Sequence, residues 1–77
     1  IKAIQNYGLR VPEDIAVVGF DNISLSKMVV PALTTINQPK KQLGHQACEI
    51  LINLIENPST PPQHILLDTE LIVRSST

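Results

Sequence analysis

Seventy-seven residues make one small domain or a piece of a larger one, and a chain of this size buries only roughly 60% of its unfolded surface. Six Lys plus Arg against seven Asp plus Glu give a net charge of −1, Lys40-Lys41 is the only basic pair, and the aromatics are one Phe and one Tyr. A direct grip on nucleic acid needs a concentrated positive face or stacking platforms and is excluded, as are an internal disulfide, because Cys48 is alone, and a membrane span. The single cysteine points to a reducing compartment, and no basic-then-apolar leader opens the sequence.

Ala3, Ile4 and Tyr7 fall at helical spacing, so residues 1–7 read as the tail of a helix that Gly8 can cap in the left-handed conformation. A tail with no visible start hints that the sequence begins inside a larger unit. Residues 9–14 form a connection in which Pro12 restricts Val11 to extended backbone. Ile15-Ala16-Val17-Val18-Gly19-Phe20 then runs almost unbroken and apolar into Asp21-Asn22. Such a run beside turn signals fits a strand covered on both faces, as in a parallel sheet. Helix, glycine, loop and buried strand together are the second half of a βαβ unit. Ligands of open α/β sheets bind just beyond the carboxyl ends of the strands, which makes Asp21 the first candidate to touch a small molecule. The plainer reading is that Asp21-Asn22 starts a turn, since both residues favour turns.

Residues 23–30 can form a short helix with Ser24 as cap, Leu25, Met28 and Val29 on one face, and Pro31 as its stop. Leu33-Thr34-Thr35-Ile36-Asn37 has the β-branched content of a strand, and Gln38-Pro39 breaks it. Residues 40–57 carry the strongest helical pattern, with Leu43, Ala47, Ile50, Leu51, Leu54 and Ile55 in one stripe. Gly44 inside it costs about 1 kcal/mol relative to Ala, which predicts close packing against a neighbour. The Pro-rich stretch at 58–62 is a stiff exposed loop. Two more strands are expected at 64–67 and 70–74. The Asp68-Thr69 link between them is either a hairpin, for which it lacks the usual glycine, or a passage from one sheet to another. Residues 75–77 read as a frayed end.

Chemistry that makes or breaks bonds finds little support. Cys48, within the long helix, reads as a buried, inert thiol. His45 lies three residues before it, but two ligands do not make a metal site, and His64 reads as a surface histidine. Gly8, Gly19 and Gly44 are too far apart for a phosphate loop. The expectation is a protein that is not an enzyme, with no metal and no cofactor.

Four stretches, taken in order, resemble the C-terminal end of LacI/GalR-family bacterial transcription regulators. They are the run from Gly8-Leu9-Arg10-Val11-Pro12-Glu13-Asp14 through Ile15 to Asn22, Pro31-Ala32-Leu33-Thr34-Thr35-Ile36-Asn37-Gln38-Pro39, Leu43-Gly44, and Thr69-Glu70-Leu71-Ile72-Val73-Arg74-Ser75-Ser76-Thr77. The resemblance spans essentially the whole chain and is far more specific as an ordered set than any one of its parts. It implies an α/β fold: a fragment of a two-lobed, periplasmic-binding-protein-like domain built as a parallel-sheet sandwich, with about four short strands and two to three helices here. Residues 1–37 would belong to the C-terminal lobe, 38–67 to the N-terminal lobe, and 68–77 would return to the C-terminal lobe. Asp21 would hydrogen-bond the effector in the interlobe cleft, because a carboxylate can accept from two neighbouring sugar hydroxyls or from a purine N–H. Gln38, at the crossing, would be a second cleft residue or a hinge residue, and Asn22, where many members have a second Asp, would support Asp21. Leu25, Met28 and Val29 would lie at a dimer interface.

The partners so implied are a small-molecule effector, sugar-like in character, and a second copy in a homodimer or higher oligomer. DNA would be reached only through an N-terminal domain not contained in these residues, in a cytoplasmic protein that has no membrane partner. A periplasmic-type sugar-binding protein is the competing reading, separable by what precedes the segment: a helix-turn-helix or a secretion signal. A small enzyme is the third, and would require turnover that Asp21→Ala abolishes.

Overall fold

The computed structural model describes residues 1–77, with the elements α1 (Lys2–Asn6), β1 (Val18–Phe20), α2 (Leu25–Met28), β2 (Thr34–Asn37), α3 (Lys40–Glu56) and β3 (Glu70–Ile72). They fall into two compact units, Ile1–Gln38 with Thr69–Thr77, and Pro39–Asp68.

In the first unit, α1 ends as its sequence predicts. Gly8 sits at φ +93°, its N–H donates to the Gln5 carbonyl, and the Leu9 N–H donates to the Ile4 carbonyl. These two bonds satisfy carbonyls the helix would otherwise leave open. The following turn is closed by Asp14, which accepts from both the backbone N–H and the guanidinium of Arg10. The apolar run becomes a strand only from Val18, later than residue 15. The Ile15 N–H is used by the turn, on the Arg10 carbonyl, and the Val17 N–H donates to Ser76 O rather than to a ladder.

The sheet has three strands in the order β1-β2-β3. β1 and β2 are parallel, with Gly19 opposite Thr35, and β3 returns antiparallel to β2, with Glu70 opposite Asn37. The α/β class holds, while the strands number three and the sheet is mixed. Residues 64–67 form no strand, because their unit contains a single helix and offers no ladder to join. The Asp68-Thr69 link is accordingly not a hairpin.

The interior of the first unit is polar. Val11 is its one buried hydrophobic residue, whereas Thr34, Thr35 and Ser76 are sealed from solvent. Contrary to a frayed end, Ser76 stitches the amino ends of β1 and β2. Its Oγ accepts from the Thr34 N–H (2.8 Å) and donates to the Val17 carbonyl (2.6 Å). Thr34 Oγ1 in turn meets the Thr77 hydroxyl and accepts from the Arg74 N–H. No buried side-chain polar atom lacks a partner. β1, expected to be covered on both faces, is not covered within these residues: Val18 and Phe20 remain 56% and 62% exposed.

α2 ends at Met28 with Val29 already extended, so Val29 leaves the helical face that Leu25 and Met28 share. Ser24 makes no side-chain cap there. In the second unit α3 ends one residue before Asn57, whose N–H closes on the Asn53 carbonyl. Leu43, Ala47 and Ile50 of its apolar stripe face Ile65 and Leu67 across a shallow groove. Gly44 is not tightly packed, as a Cβ there would meet open space. Cys48 is exposed rather than buried, and His45 pairs with Glu49 on the same helix at 3.1 Å. No group of three or more His, Cys, Asp or Glu side chains is assembled to hold a metal ion, and no helix is long and apolar enough to cross a membrane.

Candidate functional site

The parallel pairing of β1 with β2 brings their carboxyl ends together, and the antiparallel return brings the start of β3 to the same end. Asp21, Asn22, Asn37, Gln38 and Glu70 therefore meet there, although up to 49 residues separate the first from the last (70 − 21). Asp21 and Asn22 both take positive φ, +86° and +48°. Left-handed backbone costs of order 1–3 kcal/mol per non-glycine residue, and Asp and Asn are the side chains that tolerate it best. The corner turns the chain sharply off the strand end. The Asp21 N–H donates to the Ile36 carbonyl and the Asn22 N–H to Thr35 Oγ1, so the backbone stays tied to β2.

The two side chains at this corner face different surroundings. Asp21 is exposed, and its carboxylate accepts one hydrogen bond, from Gln38 Nε2 at 2.8 Å. Neither the Arg10–Asp14 ion pair nor the His45–Glu49 contact involves it, and no cationic side chain neutralises it. It is thus an anionic acceptor with unfilled capacity, held beside an amide that can also donate to or accept from a ligand. Asn22 is half-buried and turned inward, with its amide donating to Asn37 Oδ1 (3.0 Å) and its carbonyl accepting from Arg74 Nη2 (2.7 Å). Asn37 Nδ2 reaches Glu70 Oε1 at 3.4 Å.

Of the sequence candidates, then, Asp21 and Gln38 touch, and Asn22 lies beside them as part of the frame. Leu25 and Met28 stand apart on α2, more than half exposed, while Val29 is half-buried. Arg74, Asn37 and Glu70 carried no role in the sequence reading. An arginine closing the apolar run Leu71-Ile72-Val73, at the end of the expected strand, was the available signal.

All 77 residues match the periplasmic binding protein-like domain. The chain belongs to that family. As a periplasmic binding protein-like domain it is similar to the HTH-type transcriptional repressor PurR of Aliivibrio fischeri (strain MJ11), 47% identical over 76 residues. That match takes in 99% of this chain and 23% of the repressor. Among solved structures it superposes on a transcriptional regulator CelR–cellobiose complex with a TM-score of 0.93 at 36% identity, covering 99% of this chain and 23% of that one. A LacI family transcriptional regulator from Enterococcus faecium with bound ribose gives 0.84 at 32% identity, covering 99% and 28%. The chain thus spans about a quarter of the length of the relatives it matches. The relatives are regulators of the LacI/GalR kind, and the likeness falls on their effector-binding domain.

Proposed function

We propose that this periplasmic binding protein-like segment forms part of the effector-sensing domain of a bacterial, DNA-binding, cytoplasmic transcription regulator, and that Asp21 and Gln38 contact a sugar-like effector. The observation that carries this is the Asp21 carboxylate: exposed, free of any cationic partner and held in a left-handed corner beyond the carboxyl ends of two parallel strands. Ligands of open α/β sheets collect at that position. An ionised carboxylate can accept from two adjacent hydroxyls, and charge-assisted bonds of this kind are roughly twice as strong as neutral ones. That similar regulators are seen with cellobiose and with ribose bound supports a sugar-like effector.

In this reading residues 1–37 and 68–77 serve one lobe of the sensor and residues 38–67 the other. Leu25, Met28 and Val29 contribute to contact with a second copy. Binding shifts populations between DNA-competent and DNA-incompetent forms by the difference in the effector's affinity for the two. No bond is made or broken, so the reading needs no nucleophile, metal or cofactor. DNA is reached through another part of the regulator, in keeping with the absence of a basic face here.

Calorimetric titration of the complete regulator with ribose, cellobiose and lactose tests the assignment. Asp21→Asn should weaken binding of the recognised sugar at least tenfold, about 1.4 kcal/mol, and Gln38→Ala by less, since an amide donates without a full charge. Unchanged affinity in both Asp21→Asn and Asp21→Ala would overturn the role of the carboxylate.

A further inference from the structure

We infer that Arg74 is a positioning residue for the Asp21 carboxylate, acting through Asn22; the inference rests on the effector-contacting reading of Asp21. Arg74 follows β3, and its guanidinium spans two groups contributed by other parts of the fold. Nη1 donates to the Leu33 carbonyl at 2.8 Å, and Nη2 to Asn22 Oδ1 at 2.7 Å. No carboxylate lies within ion-pair distance of it, so a half-buried cation is committed to two neutral oxygens. Bonds from a charged donor are roughly twice as strong as neutral ones, and only the planar fork of arginine meets two separated acceptors in fixed geometry.

What these bonds hold is Asn22. Its carbonyl is taken by Arg74, its amide by Asn37 and its backbone N–H by Thr35 Oγ1, so its polar groups serve the frame rather than a ligand. Its backbone is left-handed, a state that persists only when the surroundings over-determine it. Asp21 has no such frame for its side chain, which makes a single contact, to Gln38. The direction of the Asp21 carboxylate is therefore set by the corner, the corner by Asn22, and Asn22 by Arg74, 52 residues later in the chain. The last residues of the sequence thereby determine whether the first effector contact is preorganised.

Crystal structures and titrations of the complete regulator decide this together, with ribose, cellobiose and lactose as probes. In Arg74→Met, Asn22 should leave the left-handed region and the dissociation constant of the recognised sugar should rise about tenfold, as loss of preorganisation predicts. Arg74→Lys keeps the charge and can make one of the two bonds, so its rise should be about threefold. Ser76→Ala loosens the opposite end of the same strands without touching Asn22, and should lower the melting temperature while leaving affinity unchanged. An Asn22 backbone that stays put in Arg74→Met overturns the inference, whatever the binding data. So does full affinity in Arg74→Met and Arg74→Lys when Asp21→Asn has lost it. Should Asp21→Asn keep full affinity, the effector reading fails, and the Asn22 backbone alone still decides the role of Arg74. If Arg74→Met does not fold, Arg74→Lys carries the same comparisons.

Discussion

Asp14 and Asp21 are both exposed aspartates near a turn, yet their surroundings assign them different work. Asp14 accepts from the Arg10 side chain and from the Arg10 backbone N–H, and together these hold its carboxyl below the ordinary aspartate value of about 3.8, against a small opposing effect of burial. The sign of the consequence follows from linkage. A carboxyl whose folded value is depressed adds stability that is fully present above its unfolded value and is lost as pH falls through the folded one. Arg10→Gln should therefore return the Asp14 titration midpoint, read by carboxyl carbon NMR, toward the ordinary value. It should also flatten the acid limb of stability below about pH 4. A midpoint unmoved by Arg10→Gln would deny the pair its role. Asp21, in contrast, spends its acceptor capacity on one amide, and a group left unfilled in this way is available to a ligand.

At the scale of elements, the amino ends of β1 and β2 are joined by buried hydroxyls. Ser76 Oγ serves a buried N–H on β2 and a carbonyl just before β1, so Ser76→Ala leaves both without a partner. An unsatisfied buried group costs about 1–3 kcal/mol, and the loss in a urea titration should fall near 2 kcal/mol. Restoring the hydroxyl with Thr should recover part of it, whereas wild-type stability in the alanine variant would mean that water fills the gap. The sequence made the helix over residues 40–56, the strand at residues 34–37 and the left-handed cap at Gly8 legible, because each rests on local periodicity or a single backbone preference. It placed Asp21 at the end of an apolar run, and the structure has Asp21 directly after β1. Ser76 and Arg74 were not legible, because their partners, Val17, Thr34, Leu33 and Asn22, lie 41 to 59 residues away. Residues 64–67 had the composition of a strand but no ladder within their unit, and composition cannot report a missing partner.

For the 77 residues as a whole, buried apolar surface is scarce and exposed apolar surface plentiful. Val11 is the one hydrophobic side chain buried below a tenth of its surface, while Phe20, Met28, Leu51 and Leu66 are each more than half exposed. β1 and β3 are the outer strands of the sheet, so each also offers an unpaired edge. Burying such surface is worth about 25 cal/mol per Å² and requires no specific geometry, so the segment taken alone should associate in solution. Sedimentation velocity over a wide concentration range should give a weight-average mass that rises with concentration. Phe20→Lys and Met28→Lys should lower it by setting a hydrated charge in the apolar surface. The same preparation should bind ribose, cellobiose and lactose without measurable heat, because Asp21 and Gln38 alone supply too few of the groups that surround a sugar. A monodisperse monomer at high concentration would show that the polar interior, with its threonines and Ser76, is enough to keep the apolar faces apart. Micromolar sugar binding by that monomer would mean that Asp21 and Gln38 form a complete site by themselves.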